Sequence, residues 1–399
     1  MKSVKAVVVI STVLSFCALL LFGAGPASAR MSDTAGTSSK VWSKAAALQR
    51  PRWGKPRPTV TATPTPGPTP TPAAAAKLAV GVQYTAMWNN VTDADQKAMA
   101  AAIAQSGSKW ARLDVAWATI QPNGPGSFDL AWGVPKVDRA VNNAVSAGLN
   151  VVLTFYWAPE WATVGTGKAA HPDPAAYATA AKWVAARYKG KVQAIEVWNE
   201  QNGKRFWNPA DPVAYTQLLK AAYPAIKAGS PETLVVMGGL EYSDTSFLQK
   251  MYAAGAKGSY DISAFHPYPA IADQSPYSPW DGTKWTIANM AEWMRVMRAN
   301  GDSSPVWLTE FGWATHENWD GVENWNRGVT EAAQAQRLTD MFALVADQYP
   351  QVTGMFWYTI KDTDLGNIQQ DSYGLLRKDG TRKPAFEALR RANQTYGVP

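Results

Sequence analysis

Cysteine is almost absent from this chain of 399 residues: Cys17 is the only one, and it lies in an apolar run near the N-terminus. The remainder therefore has no disulfide, no thiol chemistry and no thiolate metal site, and its stability must come from the size of its core. Histidine is scarce too. His171, His266 and His316 are the only three, and no His/Asp/Glu spacing around them resembles a metal cage, so neither a metal nor a cofactor is expected. No glycine-rich phosphate loop opens any helical stretch, which weighs against a doubly wound nucleotide-binding sheet. Net charge is missing where it would matter for an anionic partner. The chain carries +7 overall, but Lys2 and Lys5 are the charges of the first 29 residues, and residues 30–76 set seven basic side chains against Asp33 alone. Residues 77–399 are thus within one charge of neutral, so nucleic acid as a substrate finds no support, and any attraction to acidic cell-wall polymer belongs to the N-terminal stretch.

That stretch has two parts. Lys2 and Lys5 precede an apolar run from Ala6 to about Phe22, and Ala27-Ser28-Ala29 follows, the pattern of a cleaved signal peptide over residues 1–29 and of a secreted, extracellular protein. An uncleaved anchor is the alternative, because the run approaches spanning length. Residues 30–76 show no apolar periodicity and end in a Pro/Thr alternation from Pro58 to Pro72, which favours extended polyproline conformation and buries no core. They read as a basic, disordered linker, with cell-wall association through this tail.

From Lys77 the chain alternates short β-branched or aromatic runs with helical patterns. Strands are expected at Leu78–Gln83, Trp110–Val115, Asn150–Phe155, Val192–Trp198, Thr233–Gly238, Asp261–Phe265, Val306–Thr309 and Gly354–Trp357. Amphipathic helices are expected between them, among others at Asp93–Gln105, Pro174–Tyr188, Pro212–Lys227, Ile287–Ala299 and Glu331–Gln348, with a last one at Pro384–Asn393. Eight such alternations predict an α/β fold: a single (β/α)8 TIM barrel over residues 77–399.

Functional groups of a parallel barrel gather at the C-terminal ends of its strands. Two expected strands end on an acid: Ala194-Ile195-Glu196-Val197-Trp198-Asn199-Glu200 and Val306-Trp307-Leu308-Thr309-Glu310. An isolated Glu is usually a solvated surface charge. Two that each close an apolar strand among aromatics instead suit proton transfer and nucleophilic attack.

These segments carry a resemblance. Trp198-Asn199-Glu200 and Thr309-Glu310-Phe311-Gly312-Trp313 are similar to the two signature motifs of glycoside hydrolase clan A, and most like families 39 and 5. The resemblance covers about residues 78–396 and implies Glu200 as general acid/base and Glu310 as nucleophile of a retaining β-glycosidase, with carboxyl groups roughly 5–5.5 Å apart. It further implies that Arg112 supports Glu310, that His266 and Tyr268 of Phe265-His266-Pro267-Tyr268 line the reactive subsite, and that Trp357 is an aromatic platform. By their own chemistry, Tyr268 is expected to donate to Glu310, Asn199 to hydrogen-bond a ring 2-hydroxyl and His266 to bind substrate hydroxyls. Gln201-Asn202 departs from the pattern, in which Pro-Asn is common after the acid, so the loop beyond Glu200 is expected to be shaped differently. A buried Arg112 can equally neutralise Glu196, which reads as a structural interior acid.

Nineteen tryptophans exceed what a core of this size requires. Trp157, Trp161, Trp207, Trp280, Trp285, Trp313, Trp319 and Trp325 follow strands, and about half of them are expected to offer flat faces to pyranose rings. The segment Pro269–Trp285 is the expected substrate-shaping loop. The reading is a secreted enzyme cleaving the O-glycosidic bonds of a poly- or oligosaccharide. Two alternatives stand beside it: a transglycosylase remodelling the same polymers, and a carbohydrate-binding barrel without catalysis. The second is disfavoured because it needs neither acid.

Overall fold

The structure is a computed structural model, and it describes residues 77–398 apart from Asn89 and Lys168. The expected signal peptide, Cys17 and the Pro/Thr linker lie outside the described residues. No helix among the described residues is long and apolar enough to cross a membrane.

Eight parallel strands form the wall of the barrel: β1 (Ala79–Gln83), β2 (Trp110–Ala116), β3 (Asn150–Tyr156), β4 (Ala194–Val197), β5 (Leu234–Met237), β6 (Ser263–His266), β7 (Val306–Phe311) and β8 (Val352–Trp357). A helix follows each of them: α1 (Asp93–Gln105), α2 (Gly133–Ser146), α3 (Pro174–Arg187), α4 (Pro212–Gly229), α5 (Thr245–Ala253), α6 (Met290–Ala299), α7 (Glu331–Gln348) and α8 (Pro384–Tyr396). Neighbouring strands pair in chain order and β1 pairs with β8. The ring closes between β5 and β6, where Asp261 N donates to Val235 O at 2.8 Å and Met237 N to Ile262 O at 2.9 Å. After a break at Gly238-Gly239, the extension Leu240–Glu241 pairs with Phe265–His266. The expected (β/α)8 barrel is the observed one, with strand boundaries shifted by one or two residues.

Local chemistry sets the helix starts. Thr92, Asp173, Asp211, Asp244 and Thr330 each accept a hydrogen bond from a first-turn amide of α1, α3, α4, α5 and α7, and Pro174 and Pro212 fill positions whose missing N–H costs nothing. Tyrosines on two helices then hold the strand ends. Tyr177 of α3 donates to Phe155 O at 2.7 Å, and Tyr215 of α4 donates to Val197 O at 2.8 Å while accepting from Gly238 N.

Strand parity sorts the core into two parts. Residues facing the helices build a continuous outer core, while Trp110, Val152, Val236, Ile262, Ala264, Trp307 and Phe356 fill the inside of the barrel. Two glycines make room for those rings. A Cβ on Gly81 would stand 2.3 Å from the Phe356 ring and one on Gly354 would stand 2.5 Å from the Trp307 indole.

Candidate active site

Above the apolar interior, the same inward parity brings Gln83, Arg112, Thr154, Glu196, His266 and Thr309 together at the C-terminal ends of their strands, all buried. Arg112 is the hub. Its Nε donates to Glu196 at 2.7 Å, Nη1 to Gln83 Oε1 at 2.8 Å and to Glu310 at 2.6 Å, and Nη2 to Asn199 Oδ1 at 2.9 Å. Both partners weighed for Arg112, Glu310 and Glu196, are therefore engaged at once. Burial works against the guanidinium charge, but Glu196, Glu310 and Asp114 outweigh it and raise the pKa of Arg112 well above its ordinary value.

Glu196 lies inside, beneath the cleft. Burial pushes its carboxyl up, yet Arg112 and His266 more than reverse this and hold it below the usual range. Its oxygens are taken by Arg112, by Thr154 at 2.7 Å and by Gly239 N at 3.1 Å. Only glycine fits there: a Cβ at residue 239 would come 2.2 Å from His266 Nε2.

Glu310 reaches the mouth of the barrel through an irregularity in β7. The register against β8 shifts between Leu308 and Phe311, so Thr309 and Glu310 both serve the cleft while Phe311 returns to the outer core. Its second oxygen accepts from the Tyr268 hydroxyl at 3.2 Å. Burial and then Glu310 push that phenol well above its normal range, so it remains a proton-bearing donor.

Glu200 sits in the turn after β4. Its own φ of 46° and that of Trp198, 76°, lie in the left-handed region, a strained conformation for such residues. Glu200 N donates to Gly239 O at 2.9 Å and Gly203 N to Glu200 O at 2.8 Å, and these bonds hold the turn. The carboxylate meets His266 Nδ1 at 2.9 Å. One oxygen of Glu200, one of Glu310 and a His266 nitrogen lie within 4.8 Å of one another, a spacing that a small cation can bridge. Burial lowers the pKa of His266, but Glu310 and Glu200 outweigh it and raise it, favouring the imidazolium.

Two expected roles need correction. His266 is fully buried, and both ring nitrogens are occupied, Nδ1 by Glu200 and Nε2 by Thr309 at 3.0 Å, so neither is left for a substrate hydroxyl. Trp357 is 0% exposed and packs on Phe311 and Trp313, with Nε1 donating to Tyr373 O. The reason is parity: Phe356 points into the barrel, so Trp357 points out, and no face remains for a sugar. Tyr358, one residue on, is on the inner side, where burial and then Glu310 raise its phenol well above normal.

Asn199 spends its carbonyl on Arg112, which leaves its amide for a ligand. Trp157 is partly exposed, at φ 54°, against Tyr156 and Phe206. Of the other tryptophans expected on this face, Trp207 and Trp313 are buried, whereas Trp280, Trp285 and Trp319 are exposed. Sequence reasoning missed Gln83, Asp114, Thr309 and Glu241. Asp114 lies 3.7 Å from Arg112, and its carboxyl is pushed up to about 6 by burial against the pull of that guanidinium. The two-residue rhythm from Trp110 through Arg112 would have found it. A surface depression of about 580 Å3 lies between α4 and α5, on the outer helical layer, and no acid lines it.

A barrel that presents two carboxylates, a buried arginine and an aromatic wall at the carboxyl ends of its strands has the layout of a glycoside hydrolase. The model of Cellulase (glycosyl hydrolase family 5) matches residues 73–348, and the chain belongs to that family. Solved structures agree on the fold. A family 39 glycoside hydrolase from Bacteroides cellulosilyticus WH2 is 22% identical with a TM-score of 0.62, over 79% of this chain and 63% of that one, so this chain spans less than two thirds of its length. A GH5_18 protein from Streptomyces cattleya in complex with GlcNAc is 21% identical with a TM-score of 0.63, over 82% of both chains. The exo-beta-1,4-mannosidase Op5Man5 from Opitutaceae bacterium strain TAV5 is 18% identical with a TM-score of 0.59, over 80% of this chain and 60% of that one. No curated protein matches the chain.

Proposed function

We propose that this protein is a secreted, retaining β-glycoside hydrolase acting on a poly- or oligosaccharide by double displacement. The observation that carries the reading is the unequal treatment of two neighbouring carboxylates. Glu310 is clasped by the Arg112 guanidinium at 2.6 Å and the Tyr268 hydroxyl at 3.2 Å, which hold its carboxylate aimed into the cleft. Glu200 meets only the His266 ring, a partner able to share a proton with it.

In the first step Glu310 attacks the anomeric carbon while Glu200 protonates the departing oxygen. A glycosyl ester on Glu310 results. In the second step Glu200 takes a proton from water, the water oxygen attacks the same carbon, and Glu310 leaves as carboxylate. The free amide of Asn199 is available to the 2-hydroxyl, a contact that strengthens as the oxocarbenium-like transition state forms. Export is supported by the sequence alone, through Lys2, Lys5 and the apolar run that follows.

The test begins with a panel of cello-, manno- and xylo-oligosaccharides and their 4-nitrophenyl glycosides. Glu310→Ala should lose at least ~10⁴-fold in turnover on both classes. Glu200→Ala should retain the first step on the nitrophenyl glycosides, whose leaving group needs no proton, and azide should restore turnover as a β-glycosyl azide. NMR in the first minutes should show product of unchanged anomeric configuration. An inverted first product, or a Glu310→Ala enzyme of near-normal rate, overturns the reading.

A further inference from the structure

One acid close to Glu200 has no part in the two steps above. Glu241 ends the short extension of β5 and stands opposite His266 in the parallel register. Its backbone is fixed by the loop beyond Glu200: Asn202 Oδ1 accepts from Glu241 N at 2.8 Å and Asn202 Nδ2 donates to Glu241 O at 2.9 Å. This is the structural consequence of Gln201-Asn202 in that loop. The side chain is not fixed in the same way. Among the described residues none donates a hydrogen bond to the Glu241 carboxylate, which leans over the turn after Glu200, 3.1 Å from where a Cβ on Gly203 would stand. Burial, and then the charge of Glu200, push this carboxyl up to about 7, against the pull of Lys284 and Arg205. A half-buried acid with unused acceptors pays for its desolvation without return unless a ligand supplies donors.

The wall beyond Glu241 leads to a second feature. Tyr242 meets Trp285 edge to face at 4.7 Å, and Trp285 lines a groove of about 370 Å3 together with Ile271, Gln274, Asp281, Glu323 and Trp325. Its two sides are the Pro269–Trp285 loop after β6 and the segment near residue 324 after β7, joined by Ala272 N donating to Asn324 O at 2.9 Å. Indoles beside amide and carboxylate groups answer the two demands of a pyranose, an apolar ring face and a rim of hydroxyls.

Position in the ring gives the groove its direction. Arg112, Gln83 and Asp114 come from β1 and β2 and back Glu310 from one side, whereas Glu241 and Trp285 belong to the β5 and β6 side shared with His266 and Glu200. The group that Glu200 protonates departs on that side. We propose that Glu241 and the groove behind Tyr242 are the leaving-group subsites: Glu241 accepts hydrogen bonds from the first sugar beyond the scissile bond, and Trp285 and Trp325 hold the sugars after it. The substrate is then a chain that continues for at least two units on its reducing side. The inference rests on Glu200 being the acid.

The experiment compares, for the sugar that the wild type hydrolyses fastest in the panel above, the 4-nitrophenyl glycoside with oligosaccharides of two to six units. The readout is the ratio of kcat/KM on the hexasaccharide to kcat/KM on the nitrophenyl glycoside. Glu241→Gln should lower that ratio roughly tenfold, mainly through KM, and Glu241→Ala by more. Trp285→Ala should flatten the rise of kcat/KM with chain length beyond the first leaving sugar. Circular dichroism of each variant separates misfolding from lost binding. Equal losses on both substrates, or an unchanged ratio in Glu241→Ala, overturn the proposal. Absence of azide rescue in Glu200→Ala removes the acid assignment instead, so the two failures are distinguishable.

Discussion

The inside of the barrel changes character along its own axis. In its lower layer, Trp110, Trp307 and Phe356 interlock with ring centroids 5.2 to 6.4 Å apart over Val152, Ile262 and Ala264. Two residues beyond Gly81, Trp110, Val152, Ala194 and Ala264, the inward positions hold Gln83, Arg112, Thr154, Glu196 and His266. Parity decides which residues face inward, and position along the strand decides whether that face is apolar or charged. The lower layer also conditions the upper one. By excluding water beneath Arg112 it lowers the local dielectric, which strengthens each ion pair and makes any unpaired charge costly.

The largest expected effect comes from breaking the upper layer. Arg112→Ala leaves Glu196 buried and uncompensated, and should cost ~3–5 kcal/mol in urea denaturation together with nearly all activity. Arg112→Lys keeps the charge but cannot reproduce contacts made through Nε, Nη1 and Nη2. It should recover part of the stability and little of kcat. A stable, active Arg112→Ala protein would show that the charged layer does not act as one unit.

Breaking the lower layer should do the reverse. Trp307→Ala opens a cavity among Trp110 and Phe356 and should cost ~3–5 kcal/mol, while molecules still folded keep their KM. Trp357→Ala is expected to behave likewise despite its place at the end of β8, because its ring faces the outer core. A rise in KM without loss of stability in Trp357→Ala would restore the platform role that its burial argues against.

The smallest effect sharpens the boundary of the charged layer. The Glu241 carboxyl is pushed from its ordinary 4.5 up to about 7, so the fold favours its protonated form. That contribution is present below the unfolded value and is lost as pH rises through the folded one. Glu241→Gln should therefore match the wild type in Tm at pH 4.5 and exceed it at pH 8 by roughly 2–6 °C. Asp114, pushed up to about 6, acts in the same direction in both proteins and cancels from the difference. Equal Tm differences at the two pH values would place Glu241 in open solvent.

Much of this was legible in the sequence, for reasons that differ by element. The strand runs were found because β-branched and aromatic residues cluster between turn residues, and α1 and α7 were found with their observed ends because apolar residues recur there at three-to-four spacing, between ends that the structure shows capped by Thr92 and Thr330. The break at Gly238-Gly239, which lets Glu241 rejoin the sheet beside His266, left no periodic signal. Trp357 was misread although its parity was visible, since an aromatic at a strand end was matched by position and not by the direction of its side chain. His266 was misread because hydrogen-bond partners come from other strands, and no local pattern names Thr309 or Glu200 as its neighbours.

The sequence by itself determined the order of eight strands and eight helices and the two strands that end on Glu200 and Glu310, because both follow from local periodicity and from where apolar runs stop. Only the tertiary structure decided that one guanidinium serves Gln83, Glu196, Asn199 and Glu310 together, that a β7 irregularity turns both Thr309 and Glu310 to the cleft, and that Glu241 is left with free acceptors beside a tryptophan-lined groove. Those relations join residues far apart in the chain, and they exist only once the sheet has closed and brought its strand ends to one rim.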